Sequence, residues 1–292
     1  MSKNAKTSHK LGLKAKTKIG NVSAYTVLIL MSILWLLPFI GIVLESFRTE
    51  KTMPVGYVIP KQWGLGSYEI LLKETKFLQW YLNTLIIGVA VAAIQTFTVL
   101  CVSYTLSRMR FNGRKFLMNA ILVFGMFPGF VTIIVLYVIL RDMGFTSEGA
   151  VPGLILVYTA SSGMGYYVAK GFFDTISKSL DEAARVDGAS RAQIMFKIIL
   201  PMAKPIIIYT ILTAFMAPWG DFMFAKYITN NASNGYNVAV GMQSLISSPG
   251  NINEYYTAFC AGGVLVAVPI TILFMCLQKY YVEGVTGGAV KG

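Results

Sequence analysis

The residues of this chain whose types and spacing could do chemistry gather in one polar stretch, "EAARVDGASRAQIMFKIILPMAKP", from Glu182 to Pro205. Its first half carries charges of both signs, Glu182, Arg185, Asp187 and Arg191, around the glycine at 188. That pattern suits charge-assisted recognition of another surface rather than bond making. Catalysis finds little elsewhere. The single histidine, His9, lies in the N-terminal tail. Cys101, Cys260 and Cys276 form an odd set inside apolar runs, which suggests neither a disulfide framework nor a metal site. No GxxxxGK[ST] loop is present, so the chain has no nucleotide cradle of its own.

The elements that must position this stretch are set by composition. Over 292 residues, 55% are hydrophobic and only 13% charged, beyond what a soluble domain carries. The chain is read as an all-α integral membrane protein. About 20 uncharged residues are needed to cross a bilayer core as helix. Six runs are candidates: Ala24 to Leu44, Leu82 to Leu106, Phe116 to Leu140, Gly149 to Ala169, Pro205 to about Ala225, which Asp221 interrupts, and Ala258 to Leu277. They are continuous apolar blocks and not alternating ten-residue strands, which excludes a barrel. Residues 1–23 then form a basic tail, 24–280 a transmembrane domain, and 281–292 a C-terminal tail. The tail "MSKNAKTSHKLGLKAKTKIG" resembles a signal-peptide start, but the run after it lacks a small-residue cleavage site and reads as a retained first span.

The net charge of +12 could suggest nucleic acid, but its distribution points to the membrane. With the N-terminus inside, 18 of the 25 Lys and Arg residues fall in cytoplasmic segments and seven outside, the bias of the positive-inside rule. Both termini are expected in the cytoplasm, beside anionic lipid. Inverted repeats, paired intramembrane charges and broken helices, the marks of a self-sufficient ion-coupled transporter or channel, are not evident in the sequence.

On this topology the opening stretch is cytoplasmic. Ser179 to Val186 reads as a short helix with Gly188 as its stop. Ser190 with Gln193 makes a capping box for a second helix, whose apolar side is Ile194, Phe196, Ile198 and Ile199 until Pro201 ends it. Ala183 and Ala184 leave part of this knob nearly flat, while Glu182 and Arg185 charge its edge. By physics alone it is either a docking knob or an amphipathic loop on the lipid headgroups.

The spacing of Glu182-Ala183-Ala184, Asp187-Gly188-Ala189, Phe196, Ile199, Pro201 and Pro205 resembles the EAA loop (residues 178–205) of permease subunits in binding-protein-dependent ABC importers. "GFFDTISKSL", "SRMRFNGRK" and "GVTGGAVKG" extend the likeness, from about Tyr81 to Gly292, to the smaller permease of maltose and maltodextrin systems. The resemblance implies a type I ABC importer core of six transmembrane helices in a bacterial cell membrane. It also implies coupling helices seated in an ATPase cleft, with Glu182 facing a basic residue there and Gly188 holding the turn. Partners would be a second homologous permease, two ATPase subunits that bind ATP and Mg, and an external solute-binding protein. Gly287, Gly288 and Lys291 would be tail contacts to the ATPase.

A hydrophilic oligosaccharide needs hydrogen-bonding groups and aromatic faces along its route. Trp219, Asp221 and Phe222 in the fifth run offer both, and Asp221 is the only acid well inside an apolar stretch. At 1.5 Å per residue it lies ~24 Å along from Pro205, near the outer interface, where aromatics also serve as membrane anchors. Gln95, Thr96, Tyr104, Ser161 and Ser162 are further candidates for the wall. Tyr227 to Tyr255 reads as a long external loop of the kind with which the family probes its binding protein.

Overall fold

The computed structural model describes residues 13–49, 59–126 and 129–289. Among them the architecture is helical, with one isolated bridge between Arg48 and Trp63. The helices are α1 (Leu13–Ser46), α2 (Gly66–Lys73), α3 (Phe77–Arg108), α4 (Arg114–Gly125), α5 (Gly129–Asp142), α6 (Ala150–Ala160) and α7 (Gly163–Thr175). They continue as α8 (Ser179–Val186), α9 (Arg191–Met202), α10 (Lys204–Gly220), α11 (Met223–Thr229), α12 (Val238–Leu245) and α13 (Pro249–Ala289).

Three single helices have the length and hydropathy to cross a bilayer: Gly20–Ser46 within α1, α3, and Pro249–Lys279 within α13. The pair α9 and α10 qualifies jointly but bends by 82° between Met202 and Lys204. The other expected runs are divided. The third is α4 and α5, with Phe127 and Pro128 between them outside the described residues. The fourth breaks where the Ser161 hydroxyl donates to the Val157 carbonyl at 2.8 Å and that of Ser162 to Thr159 at 2.5 Å. These bonds satisfy the last carbonyls of α6, so the hydroxyls compete with the helix ladder. A six-span count therefore requires α4–α5 and α6–α7 each to cross as a pair and α10 to cross by itself.

α3 is the spine. Its first half, with Trp80, Ile87 and Val91, enters one buried cluster with Trp219, Phe224, Tyr236 and Val240. Its second half, with Val99, Leu100 and Tyr104, enters another with Phe173, Ala184, Ile194, Ile199 and Ile206. α10 packs along α3 more extensively than any other element pair, joining the two clusters. By contrast α1 leaves the whole of its apolar window exposed and touches the bundle chiefly through α13. A helix apolar all round and unburied by its own chain is faced by lipid or by another subunit. After α1 the chain folds back: Arg48 is fully buried, its guanidinium forked onto Glu45 at 2.7 and 2.8 Å. This ion pair and α2, which packs on α13, went unread in the sequence.

Candidate functional site

The polar segment folds into the expected pair of elements. α8 spans Ser179–Val186 and ends in a Schellman motif: Ala189 N–H donates to the Ala184 carbonyl at 2.9 Å and Gly188 N–H to Arg185 at 3.0 Å. The motif needs a left-handed residue at its turn, and Gly188 supplies φ +82°. Two residues on, Ser190 opens α9 with a complete capping box. Its Oγ accepts from Gln193 N–H at 3.3 Å, and the Gln193 Oε1 accepts from Ser190 N–H at 2.7 Å.

The second helix departs from expectation in two ways. It does not stop at Pro201 but passes through it to Met202, with Ile194–Ile199 wound as π-helix. Proline removes one N–H from the ladder and its ring crowds the carbonyl four residues back; the wider turn relieves both. The bend falls instead at Ala203, just before Pro205 restarts the helix as α10. In the π segment, residues five apart superpose, so Ile194 and Ile199 are both fully buried and Met195 turns inward. Phe196, expected inside, is 55% exposed.

Of the six residues expected to couple, Glu182, Ala183, Asp187 and Gly188 form an exposed face and Ala189 is half-buried. Ala184 is not on that face. It is buried in the cluster that holds Phe173, Ile194 and Ile199. Val186, 88% exposed, takes an apolar place on the outer face instead. The inner side is anchored by a pair that sequence reasoning missed. Arg108 Nε at the end of α3 lies 3.4 Å from Asp181 Oδ2 in the first turn of α8, with side-chain exposures of 3% and 7%. Neither Asp181 oxygen takes a hydrogen bond, so the contact is Coulombic. Arg108 Nη2 also donates to the Ile176 carbonyl at 2.9 Å, tying α3 to the strand of chain that leads into α8. Beside it the Asp174 carboxyl is burdened by partial burial, yet the Lys170 ammonium and the Ser107 hydroxyl, at 2.5 and 2.6 Å, hold its pKa below the usual aspartate value. The signal available in the sequence was the "SRMR" after the second apolar run and an acid next to Glu182.

The candidates for a sugar route separate. Tyr104 belongs to the cluster under the knob, its ring edge-on to Phe173 at 6.3 Å and its hydroxyl 3.5 Å from the Arg191 carbonyl. It sits apart from Trp219. Thr96 is buried and Gln95 half-buried on α3. Asp221 is a joint. It ends α10 in extended conformation, accepts from the Tyr158 hydroxyl through Oδ2 at 2.6 Å, and accepts from Phe224 N–H through Oδ1 at 3.1 Å, capping α11. Both carboxylate oxygens are thereby engaged in structure. Trp219 and Phe222 do come together, lining a cavity of about 280 Å³ with Val238, Met242, Gln243 and Phe259. The Trp219 Nε1 is buried and has no hydrogen-bond partner.

Tyr227 to Tyr255 is not the free loop expected. Residues 233–245 form a strap over α3: Trp80 Nε1 donates to the Ser233 carbonyl at 2.9 Å, and Asn83 Nδ2 to the carbonyls of Asn234 and Tyr236 at 2.8 and 2.9 Å. Asn237 is fully buried, its amide donating to the carbonyls of Pro218 and Asp221 at 2.9 and 2.7 Å while its Oδ1 accepts from Val240 N–H. Gly241 lets α12 approach so closely that a Cβ there would lie 2.1 Å from the Trp80 ring. Interior polar bonding of this kind buries residues 235–238, while Ser247, Pro249 and Gly250 form an exposed turn from α12 into α13. Gly287 and Gly288 fall in the last turns of α13, and Lys291 lies outside the described residues. Among the described residues no group of three His, Cys, Asp or Glu could hold a metal.

Residues 100–287 match the family described as binding-protein-dependent transport system inner membrane component. The chain is 34% identical to the maltodextrin transport system permease protein MdxG of Bacillus subtilis (strain 168), over 94% of this chain and 97% of that one. It is 32% identical to the galactooligosaccharides transport system permease protein GanQ of the same organism, over 96% and 99%. Its fold is that of a chain in the crystal structure of a bacterial ABC transporter involved in the import of the acidic polysaccharide alginate. The TM-score is 0.77 at 22% identity, covering 94% of this chain and all of that one.

Proposed function

This chain belongs to the binding-protein-dependent transport system inner membrane component family, and on that premise we propose that it is the permease subunit of an ATP-driven importer of neutral oligosaccharides, with maltodextrins the leading cargo. The relatives named above include maltodextrin and galacto-oligosaccharide permeases, which supports the oligosaccharide class and leaves linkage and length to experiment. Six spans, with both termini in the cytoplasm, place the α8–α9 knob on the ATPase side.

The carrying observation is the knob's two-sidedness. Its outer face presents Glu182, Ala183, Val186 and Asp187 to a partner, while its inner face is fixed to the bundle by Arg108 and Asp181. A surface loop on lipid headgroups needs neither a Schellman turn nor a buried ion pair. In the proposed cycle, two ATPase subunits bind ATP and Mg and close. The knob moves with them as a rigid piece, and the displacement passes through its buried cluster to α3 and α10. The spans then open toward the opposite side, driven by the nucleotide's differential affinity for the two states. The tail residues Gly287, Gly288 and Lys291 supply a second ATPase contact. A second permease covers exposed apolar faces such as that of α1, and an external solute-binding protein delivers the sugar. Near its exit from that protein, the cargo stacks on Trp219, Phe222 and Phe259, with Gln243 and the Trp219 N–H as polar contacts.

The test is co-purification followed by uptake. The tagged chain should retain an ATPase subunit, and Val186→Asp with Glu182→Ala should release it without lowering the chain's abundance in the membrane. Proteoliposomes of the intact complex with its binding protein should take up labelled maltodextrins. A chain that transports by itself, or whose variant keeps its ATPase and full uptake, would overturn the reading.

A further inference from the structure

Behind the knob, between the end of α3, the turn that follows it and α8, lies a cavity of about 410 Å³. Its wall carries six cations, Arg108, Arg110, Arg114, Lys178, Arg185 and Arg191. Two acids face it, Asp181 and Glu182, and Asp181 is already matched to Arg108. Coupling to an ATPase calls on the outer face of α8 and explains neither Arg110 nor Arg114, which stand on the far side of the cavity. The Arg108 side chain is nine-tenths buried or more, and its Nη1 has no hydrogen-bond partner. The Arg114 Nε is also buried without one. Buried guanidinium donors are normally satisfied; Asp181, whose two oxygens are likewise unpartnered, answers Arg108 in part, and the Arg114 Nε together with the excess of six cations over two acids marks the place of a further acceptor.

The nature of the acceptor follows from what adjoins. A second cavity of about 640 Å³ shares Arg110 and Arg114 and continues along the start of α4 past Phe111, Phe116 and Met118. α4 buries none of its residues, and Phe116 is 79% exposed, followed on the same helix by exposed Leu117, Val123 and Phe124. One end of the combined space is thus a cluster of guanidinium forks, whose planar geometry matches phosphate oxygens. The other end is aromatic and aliphatic and runs onto a helix face that nothing among the described residues covers. A free anion would leave the apolar end idle, an uncharged lipid would leave the arginines unmatched, and a zwitterionic one would bring its own cation among six others. We propose that these adjoining cavities hold one anionic phospholipid, its phosphodiester at Arg108, Arg110 and Arg114 and its acyl chains along Phe111, Phe116 and the outer side of α4. Basic pockets beside membrane helices take such headgroups. The bound lipid would complete the floor on which α8 rests, so that the knob's seating depends on the bilayer's charge. This site rests on membrane residence alone and not on the identity of the cargo.

The experiment uses the importer complex as purified in detergent, with bound lipid counted by native mass spectrometry. Added phosphatidylglycerol should be retained by the parent complex, phosphatidylcholine should not, and inorganic phosphate at millimolar concentration should not displace the lipid. Arg110→Gln with Arg114→Gln should weaken phosphatidylglycerol retention about thirtyfold, the effect of two basic residues at a membrane surface. Arg110→Gln alone, a change at an exposed side chain, should weaken it about fivefold, and it serves if the double variant fails to assemble. Phe116→Ser should also weaken it. Equal retention in the arginine variants, equal retention of phosphatidylcholine, or displacement by inorganic phosphate would overturn the proposal; the last would assign the cavity to small anions. A complex that shows the lipid pattern but imports no oligosaccharide would refute the transport reading and leave this site standing.

Discussion

Asp181→Ala tests most directly how the knob is fixed to the bundle. The substitution removes the carboxylate 3.4 Å from Arg108 Nε and leaves a guanidinium with 3% exposure unmatched. At an effective dielectric of about 20, a pair at that distance interacts by about 5 kcal/mol. Removing one partner of a buried pair costs ~3–5 kcal/mol, because the remaining charge is stranded. Global unfolding need not follow, since α8 is a short element whose opening leaves both buried clusters largely intact. The cost should appear as local opening: at about 1.4 kcal/mol per factor of ten, amides of residues 182–189 should exchange at least 100-fold faster. The ATPase subunits of the assembled importer should then hydrolyse ATP without moving sugar. The control is Asp181→Leu combined with Arg108→Met, which replaces both charges by apolar groups of similar size and should restore much of the protection. Hydrogen exchange and uptake in proteoliposomes read the two effects. Unchanged exchange in Asp181→Ala, or a double variant no better protected than the single one, would refute the claim that this pair fixes the knob.

Gly188→Val should abolish coupled uptake while the chain still inserts, because a β-branched residue at φ +82° costs ~1–2 kcal/mol or more and opens the Schellman turn; normal uptake would contradict this. Asp221→Asn should change uptake by less than about fivefold at any pH, since one amide oxygen can still cap α11 and the loss is about one hydrogen bond, ~1 kcal/mol; complete loss with normal expression would make Asp221 a pathway residue. Trimming Ser247–Gly250 should weaken stimulation by a solute-binding protein yet leave assembly intact, whereas Asn237→Leu should prevent assembly by stranding the Pro218 and Asp221 carbonyls; size-exclusion profiles and ATPase rates separate the two. Because Asp174 has a depressed pKa, its contribution is complete above the ordinary aspartate value of ~3.9 and is lost only as pH falls through its lower folded value; the thermal midpoint of the chain should therefore not fall between pH 7 and 5 through this group, and a drop that Asp174→Asn removes would contradict this.

The membrane class, the helical architecture and the two short elements around Gly188 were legible in the sequence because each depends on local rules. Hydropathy over 20 residues, a glycine after a short amphipathic helix, and Ser190 with Gln193 all act within a few turns of chain. The bounds of α8 and the capping box were readable to the residue for that reason. What tertiary structure decided is which side each residue faces. Two adjacent alanines are identical to a sequence rule, yet Ala183 is exposed and Ala184 buried, because α8 has only one face against Phe173 and Ile199. Tyr227 to Tyr255 has a loop's composition, but the carbonyls of Asn234 and Tyr236 accept from Asn83 of α3, and Asn237 donates to carbonyls at the α10–α11 joint, so polar groups there are interior fastenings. Asp221 looked like an intramembrane charge and is a cap shared with Tyr158, 63 positions away. Arg108 and Asp181 are 73 positions apart in sequence and 3.4 Å apart in space. Local signals specify where helices begin and end; the partner of a buried charge is set only when the helices that carry it pack.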